Sequence, residues 1–239
     1  MTEPRPSSTV VLARDADDGP QVMLVLRRAG DAFGDSYTFP GGVLDADEAA
    51  ARQFCSGLTA EQADGLLNTE NALDYYSAVV RELFEETGVL LGATAPVGDE
   101  ARSQLHDGLV SWPVLLEQQG IRIPCDELHY FAHWITPTAL PKRWTTRFFL
   151  ARMPEGQSAT PDGSEITDCR WLTATDALSG DWNLPFPTRS TIRSLSSLDS
   201  VNSLLDWAHE RQRSGIPAIQ PEIRAEDGRR RIFMPDIAE

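Results

Sequence analysis

The stretch V-V-R-E-L-F-E-E-T-G-V, Val79 to Val89, sets three glutamates, Glu82, Glu85 and Glu86, within five residues. Around it Tyr76, Val79, Val80, Leu83 and Phe84 recur at i, i+3, i+4, i+7 and i+8, the apolar face of an amphipathic helix. With Asn71 as a candidate N-cap and Gly88 placed as a C′ glycine, the pattern predicts a helix over about 72–87. Positions 82, 85 and 86 then share one face, in the last turns, where like charges repel and the helix dipole favours cations. A solvated face would tolerate this at about a few tenths of a kcal/mol per like-charge pair. The surrounding sequence argues for a different reason.

The composition is that of an ordinary globular protein: 239 residues, 41% hydrophobic and 24% charged. The net charge of −15 disfavours nucleic acid or an anionic membrane surface as the main partner, but not a small anion brought in by metal ions or local basic residues. Cys55, Cys125 and Cys169 are odd in number and include no C-x-x-C, so free thiols are expected rather than a disulfide frame or zinc site. The N-terminal M-T-E-P-R-P-S-S-T-V has no signal-peptide pattern, the final D-I-A-E carries no address signal, and no apolar run spans a membrane. The expected location is cytoplasmic.

Thr9–Ala13 and Gln21–Leu26 read as neighbouring strands around an Asp18-Gly19 turn. Gly30–Ser36 reads as a loop, and Tyr37–Phe39 as a short strand broken by Pro40-Gly41-Gly42. Short helices are expected from Asp47 to Phe54, after a Thr59/Gln62 capping box, near Asp99–Gly108 and over Trp112–Gln119. The segments L-H-Y-F-A-H-W-I-T, W-T-T-R-F-F-L-A-R-M and I-T-D-C-R-W-L-T are strand candidates. His129 and His133 fall on one face of the first by simple alternation, where packing or hydrogen bonding suits them better than catalysis. A helix is expected at Thr173–Gly180, another over Pro187–Ser197 and a third over Val201–Arg213. Short extended runs around Asp227-Gly228 follow.

Arg81 to Val89 fits R-E-U-x-E-E-x-G-U, with U aliphatic, a match expected by chance on the order of once in 10⁵ chains of this length. Upstream, Gly42 and Glu48 fit G-x5-E. Together these resemble the box of the Nudix hydrolases. The resemblance implies an α/β Nudix fold, an α/β/α sandwich with a mixed β-sheet. It implies a box that holds Mg²⁺, with Mn²⁺ as the alternative, and the diphosphate of a nucleoside diphosphate derivative. Metal ligands are then expected at Glu82, Glu85 and Glu86, with the Gly41 carbonyl as a further oxygen, and Arg81 as a brace for the carboxylates. Catalytic roles fall to Glu82, Glu86 and Glu165, with the general base open among the three. Glu165, before the I-T-D-C-R-W-L-T strand, represents the extra acidic residue that many of these enzymes recruit; Glu155 and Asp168 are alternatives.

The family pattern departs in one respect. Where seven residues normally separate the upstream glutamate from the arginine, 32 lie between Glu48 and Arg81. This is a helical insertion at about 49–71, expected to cap the site or pack on the edge of the fold. An insertion here, with F-P-G-G-V-L-D-A-D-E before it and segments 129–150 and 169–195 after it, is similar to the mammalian peroxisomal coenzyme A diphosphatases. That implies coenzyme A or acyl-coenzyme A as substrate. ADP-ribose, NADH or a nucleotide sugar is the alternative, and a non-catalytic ligand-binding module the reading of another class. A Nudix domain over 1–200 and a C-terminal helix and arm over 201–239 are expected; dimers are common in the family.

A diphosphate needs basic partners. Arg27, Arg28, Arg143 and Arg147 are the candidates, with Trp144 able to stack on a base. A solvated strand end is the plainer role for Arg27 and Arg28, and core packing for Trp144. Alternation places Arg147 with Thr145 and Phe149 on one strand face, and Trp144 with Phe148 on the other; one face meets ligand and the other the core.

Overall fold

The structure, a computed structural model, describes residues 2–30, 34–226 and 229–235. The Asp227-Gly228 turn and part of the Gly30–Ser36 loop lie outside these residues. The chain opens with β1 (Arg5–Arg14), β2 (Gln21–Arg27), β3 (Tyr37–Thr38) and β4 (Gly41–Val43). The insertion follows as α1 (Glu48–Ala51), a 3₁₀ turn at Arg52–Phe54, β5 (Cys55–Ser56) and α2 (Ala60–Leu67). Next come α3 (Leu73–Thr87), α4 (Asp99–His106), α5 (Trp112–Gln119), β6 (Ile123–Pro124), β7 (His129–Ile135), β8 (Trp144–Arg152) and β9 (Ile166–Thr173). The chain ends through α6 (Ala174–Ser179), α7 (Phe186–Leu195), α8 (Val201–Ser214), β10 (Ala218–Ile219) and the hairpin β11 (Glu222–Glu226) and β12 (Arg229–Phe233).

The main sheet is mixed, in the order β10-β7-β8-β1-β2-β3, with β9 paired to β2 and β4 to β1. β1 and β8 run parallel; β1 and β2 are antiparallel but paired only around Ala13 and Arg14. At its other end β1 leaves β2 and takes β4 instead, through Ser7↔Val43, Ser8↔Gly42 and Thr9↔Gly41. The sheet therefore forks beside Gly41. Residues expected to break a strand form a short one, because β1 offers them a partner some thirty positions away.

Each face of the sheet has its own core. On the first, Val10, Leu12, Tyr130 and Phe149 meet Tyr76, Val79, Val80, Leu83 and Phe84 of α3, together with α5 and the insertion. On the second, Val11, Leu24, Phe131 and Leu150 meet α7 and α8, the latter through Val201, Leu204 and Ala208. The result is the expected α/β/α sandwich, and α8 belongs to its second helical layer.

Two local expectations are corrected. Asn71 does not cap α3. It takes a left-handed φ of 58°, and the Asp64 carboxylate of α2 accepts from the Ala72 amide at 2.7 Å. His129 and His133 do not share a strand face, because a bulge between Tyr130 and Ala132 shifts the register. His129 lies across from Leu150 on the α8 side, in edge contact with His209. His133 lies across from Arg147 on the α3 side.

Candidate active site

α3 aims its last turns at the fork in the sheet. Gly88 ends it in the left-handed conformation, φ 74°, donating to Phe84 O. The buried stripe on the first sheet face fixes the helix rotation, which sends Glu82, Glu85 and Glu86 toward β4 and the open end of the second face. There all three line a cleft of about 890 Å³.

Two arginines organise the carboxylates. Arg81 donates from Nε to Glu48 Oε1 at 2.9 Å, from Nη1 to Glu85 Oε2 at 2.7 Å and from Nη2 to Val43 O at 3.0 Å. Its Nη2 also lies 3.0 Å from Glu82 Oε1. Glu48, 33 positions upstream, thus stands beside Arg81 in space; it is fully buried, and among the described residues its Oε2 has no hydrogen-bond partner. Arg27, at the end of β2, reaches in from the other side. Its Nη2 donates to Gly41 O at 2.5 Å and Glu86 Oε1 at 2.6 Å, while Glu86 Oε2 accepts from Gly41 N at 2.9 Å. The site needs a glycine at 42, since a Cβ there would strike the Glu82 carboxylate.

Four carboxylates share two guanidiniums, so the cluster is short of positive charge. Burial pushes Glu86 up to about 8, with Glu82 and Glu165 adding to the rise and Arg27 and the Gly41 amide opposing it. Burial likewise pushes Glu82 up to about 7, aided by Glu85 and opposed by Arg81 and Arg27. Glu48 rises to about 7 through burial, against Arg81. Glu85 also rises, mainly through burial. Arg27 is held above the usual guanidinium range by Glu86, although burial opposes that. Among the described residues no three His, Cys, Asp or Glu side chains are set to hold one ion directly. The carboxylates are held by the arginines instead, and Arg27 binds the two oxygens, of Gly41 and Glu86, that the sequence reading assigns to a metal.

Glu165 lines the same cleft. Asp162 sets its loop by accepting from the amides of Ser164, Glu165 and Ile166, that of Glu165 at 2.8 Å. Asp168 is placed elsewhere, bonded to Tyr37 Oη at 2.8 Å and paired with Arg170. Arg28 braces the Glu165 loop, donating from its backbone to Glu165 O and from Nη2 to Gly163 O at 2.7 Å. Trp144 lines the cleft with Thr146 and Phe148, so this face of β8 is the open one. Arg147 is on the other face, buried between α3 and the sheet. It bonds His133 and Leu67 O, and its guanidinium lies 5.3 Å from the Tyr75 ring. Arg143 is also buried, donating to Thr136 O at 3.1 Å and Thr2 O at 2.8 Å. Neither lines the cleft. Arg5 and His106, which no sequence motif marks, both line it. Arg5 was legible in principle: it alternates with Ser7 and Thr9 along β1, all three on the cleft side.

No family model matches the chain. Among solved structures, a NUDIX hydrolase from Alicyclobacillus acidocaldarius superposes with a TM-score of 0.73 at 25% identity, covering 86% of this chain and 97% of that one. In sequence and in fold the chain is similar to Nudix hydrolases. Two curated relatives agree. Nudix hydrolase 7 of Caenorhabditis elegans is 27% identical over 194 residues, covering 77% of this chain and 57% of its own. The human acyl-coenzyme A diphosphatase NUDT19 is 29% identical over 167 residues, covering 60% of this chain and 44% of its own. The chain therefore spans about half the length of the curated relatives it matches. Glu48 and Arg81, separated by 32 residues in the chain, are brought into contact by the fold.

Proposed function

We propose that this Nudix chain is a divalent-metal-dependent diphosphatase that hydrolyses the diphosphate bond of a nucleoside diphosphate derivative, coenzyme A or acyl-coenzyme A. The observation that carries the reading is that Glu82, Glu85, Glu86 and Gly41 line one cleft of about 890 Å³, with Glu86 bonded to the Gly41 amide. The likeness to NUDT19 supports the coenzyme A assignment. The donor set suits Mg²⁺ or Mn²⁺: hard oxygens, surplus negative charge and raised carboxylate pKa values that a cation would relieve. Gly41 O, Glu82, Glu85 and Glu86 would hold it. Once bound, it would supply charge neutralisation for the diphosphate and acidify a water.

The chain's own residues perform the remaining tasks. Arg81 holds Glu82 and Glu85 in place, with Glu48 and Val43 O fixing its guanidinium. Arg27, on releasing Glu86 and Gly41 O, lies within the cleft as a partner for substrate phosphate. Glu82, Glu86 and Glu165, all lining the cleft, are the candidates to accept the proton of the attacking water, and Glu165 alone of the three stands outside the proposed metal-ligand set. Trp144 and Phe148 offer ring faces to the rest of the molecule.

The test is product identification by mass on coenzyme A, acyl-coenzyme A, NADH, ADP-ribose and nucleotide sugars with Mg²⁺. Turnover is expected to be greatest for the coenzyme A compounds. Glu85→Gln and Glu86→Gln should each cut kcat by at least about a hundredfold while the fold survives. Near-normal turnover in both variants would overturn the reading.

A further inference from the structure

The cleft that holds the glutamates is also lined by apolar side chains that they do not explain, among them Leu140, Phe186, Ile223 and Ile232. The last two come from the β11–β12 hairpin, more than 130 residues after the glutamates.

That hairpin is amphipathic by construction. Ile223 and Ile232 are direct cross-strand partners and so point to one face. Glu222, Arg224, Glu226 and Arg231 alternate onto the other, where Arg224 pairs with Glu222 at 2.7 Å and Arg231 with Glu226 at 3.1 Å. A two-stranded hairpin has little stability of its own and needs a surface for its apolar face. Here the surface it meets is the cleft. Ile232 nonetheless keeps 46% of its surface accessible, so it faces open space rather than packed core.

We infer that Ile223 and Ile232 form the outer wall of a subsite that binds an unbranched apolar tail on the substrate, and so set tail-length specificity. This rests on the proposed function only for placing the phosphate beside the glutamates. A tail fits this wall better than a nucleobase does, because the hairpin residues facing the cleft are aliphatic and carry no side-chain group to read a base edge.

The test uses the full chain with Mg²⁺ and a series of n-alkyl phosphates (ethyl, butyl, hexyl and octyl), with affinities measured by calorimetry. These probes have no diphosphate to cleave, so the outcome is independent of whether coenzyme A is hydrolysed. In the native protein Kd should fall with chain length, with an upper limit of about fourfold per methylene. In Ile223→Asp/Ile232→Asp the octyl value should rise at least tenfold toward the ethyl value, and the ethyl value should stay within about twofold. The milder Ile232→Ala should reduce the length dependence in part, and Arg224→Ala, on the outer face, should leave it unchanged; melting curves confirm that each variant is folded. Three results overturn the inference: no length dependence in the native protein, the same dependence in the folded aspartate variant, or an equal loss of AMP binding in that variant.

Discussion

A metal-free carboxylate cluster built this way should make the protein less stable as pH rises through neutrality. The sign follows from the direction of the shifts. Glu86 titrates near 8 and Glu82 and Glu48 near 7 in the folded chain, all above the ordinary value of 4.5. The folded state therefore holds protons that the unfolded state has already released. No stability is lost below about pH 4.5; the loss builds from there and is complete above about pH 8. At 1.36 kcal/mol per pKa unit, Glu86 alone sets an upper bound of roughly 5 kcal/mol. Because the groups share their charge, the cluster as a whole is expected to cost about 3–5 kcal/mol rather than the sum of its members. For a chain of this length that is a fall in Tm of roughly 10 °C. The assay is calorimetry in EDTA from pH 5 to pH 8.5, comparing the native protein with Glu82→Gln/Glu86→Gln so that titrations elsewhere cancel. The native curve should fall more steeply by about that amount, and saturating Mg²⁺ should remove most of the difference, since a cation favours the ionised carboxylates. Parallel curves for the two proteins would refute the reasoning, as would a native curve that rises relative to the variant.

Arg27→Gln should lower metal-free stability by about 2–4 kcal/mol, because it strands the buried Glu86 carboxylate, and should enlarge the rise in Tm produced by Mg²⁺. Gly42→Ala should drive a methyl group into Glu82 and cut kcat at least about tenfold, with circular dichroism unchanged. Arg147→Met should alter chemical denaturation and leave KM within about twofold, as befits a guanidinium held by His133, Leu67 O and two tyrosine rings rather than by ligand. Asp162→Ala should lower kcat with little change in Tm, because it frees the exposed loop that carries Glu165.

What was legible in the sequence was what local spacing encodes. The stripe from Tyr76 to Phe84, the Thr59/Gln62 capping box and Gly88 each express a rule that operates within a few residues, and each stands where expected. The clustering of Glu82, Glu85 and Glu86 was legible for the same reason. Features set by distant partners were not. Gly41–Val43 is a strand only because β1 separates from β2 and leaves an edge to pair with. The bulge that separates His129 from His133 depends on the register with β8. Alternation divided β8 into two faces correctly but could not say which was open. Trp144 lines the cleft, whereas Arg147 is buried under α3. Arg27 is the subtler case. Its position at a strand end was visible, but its bond to Gly41 O follows from the fork in the sheet, which has no local signature.

The Glu48–Arg81 pair shows why an insertion of about 25 residues need not cost the site its geometry. Loop closure grows only logarithmically with length. Extending seven residues to 32 adds about 1.3 kcal/mol, less than the roughly 3–5 kcal/mol expected from breaking a buried ion pair such as Glu48–Arg81. The insertion also offsets part of that entropy through its own contacts. Arg52 and Asp74 clamp its two ends together, β5 pairs with β6, and Ala51, Ala63 and Leu67 join the first core. Glu48 and Arg81 are therefore brought together by packing rather than by proximity along the chain. The insertion can then vary in length and sequence, provided that the Arg52–Asp74 stem and its buried residues keep Glu48 where Arg81 needs it.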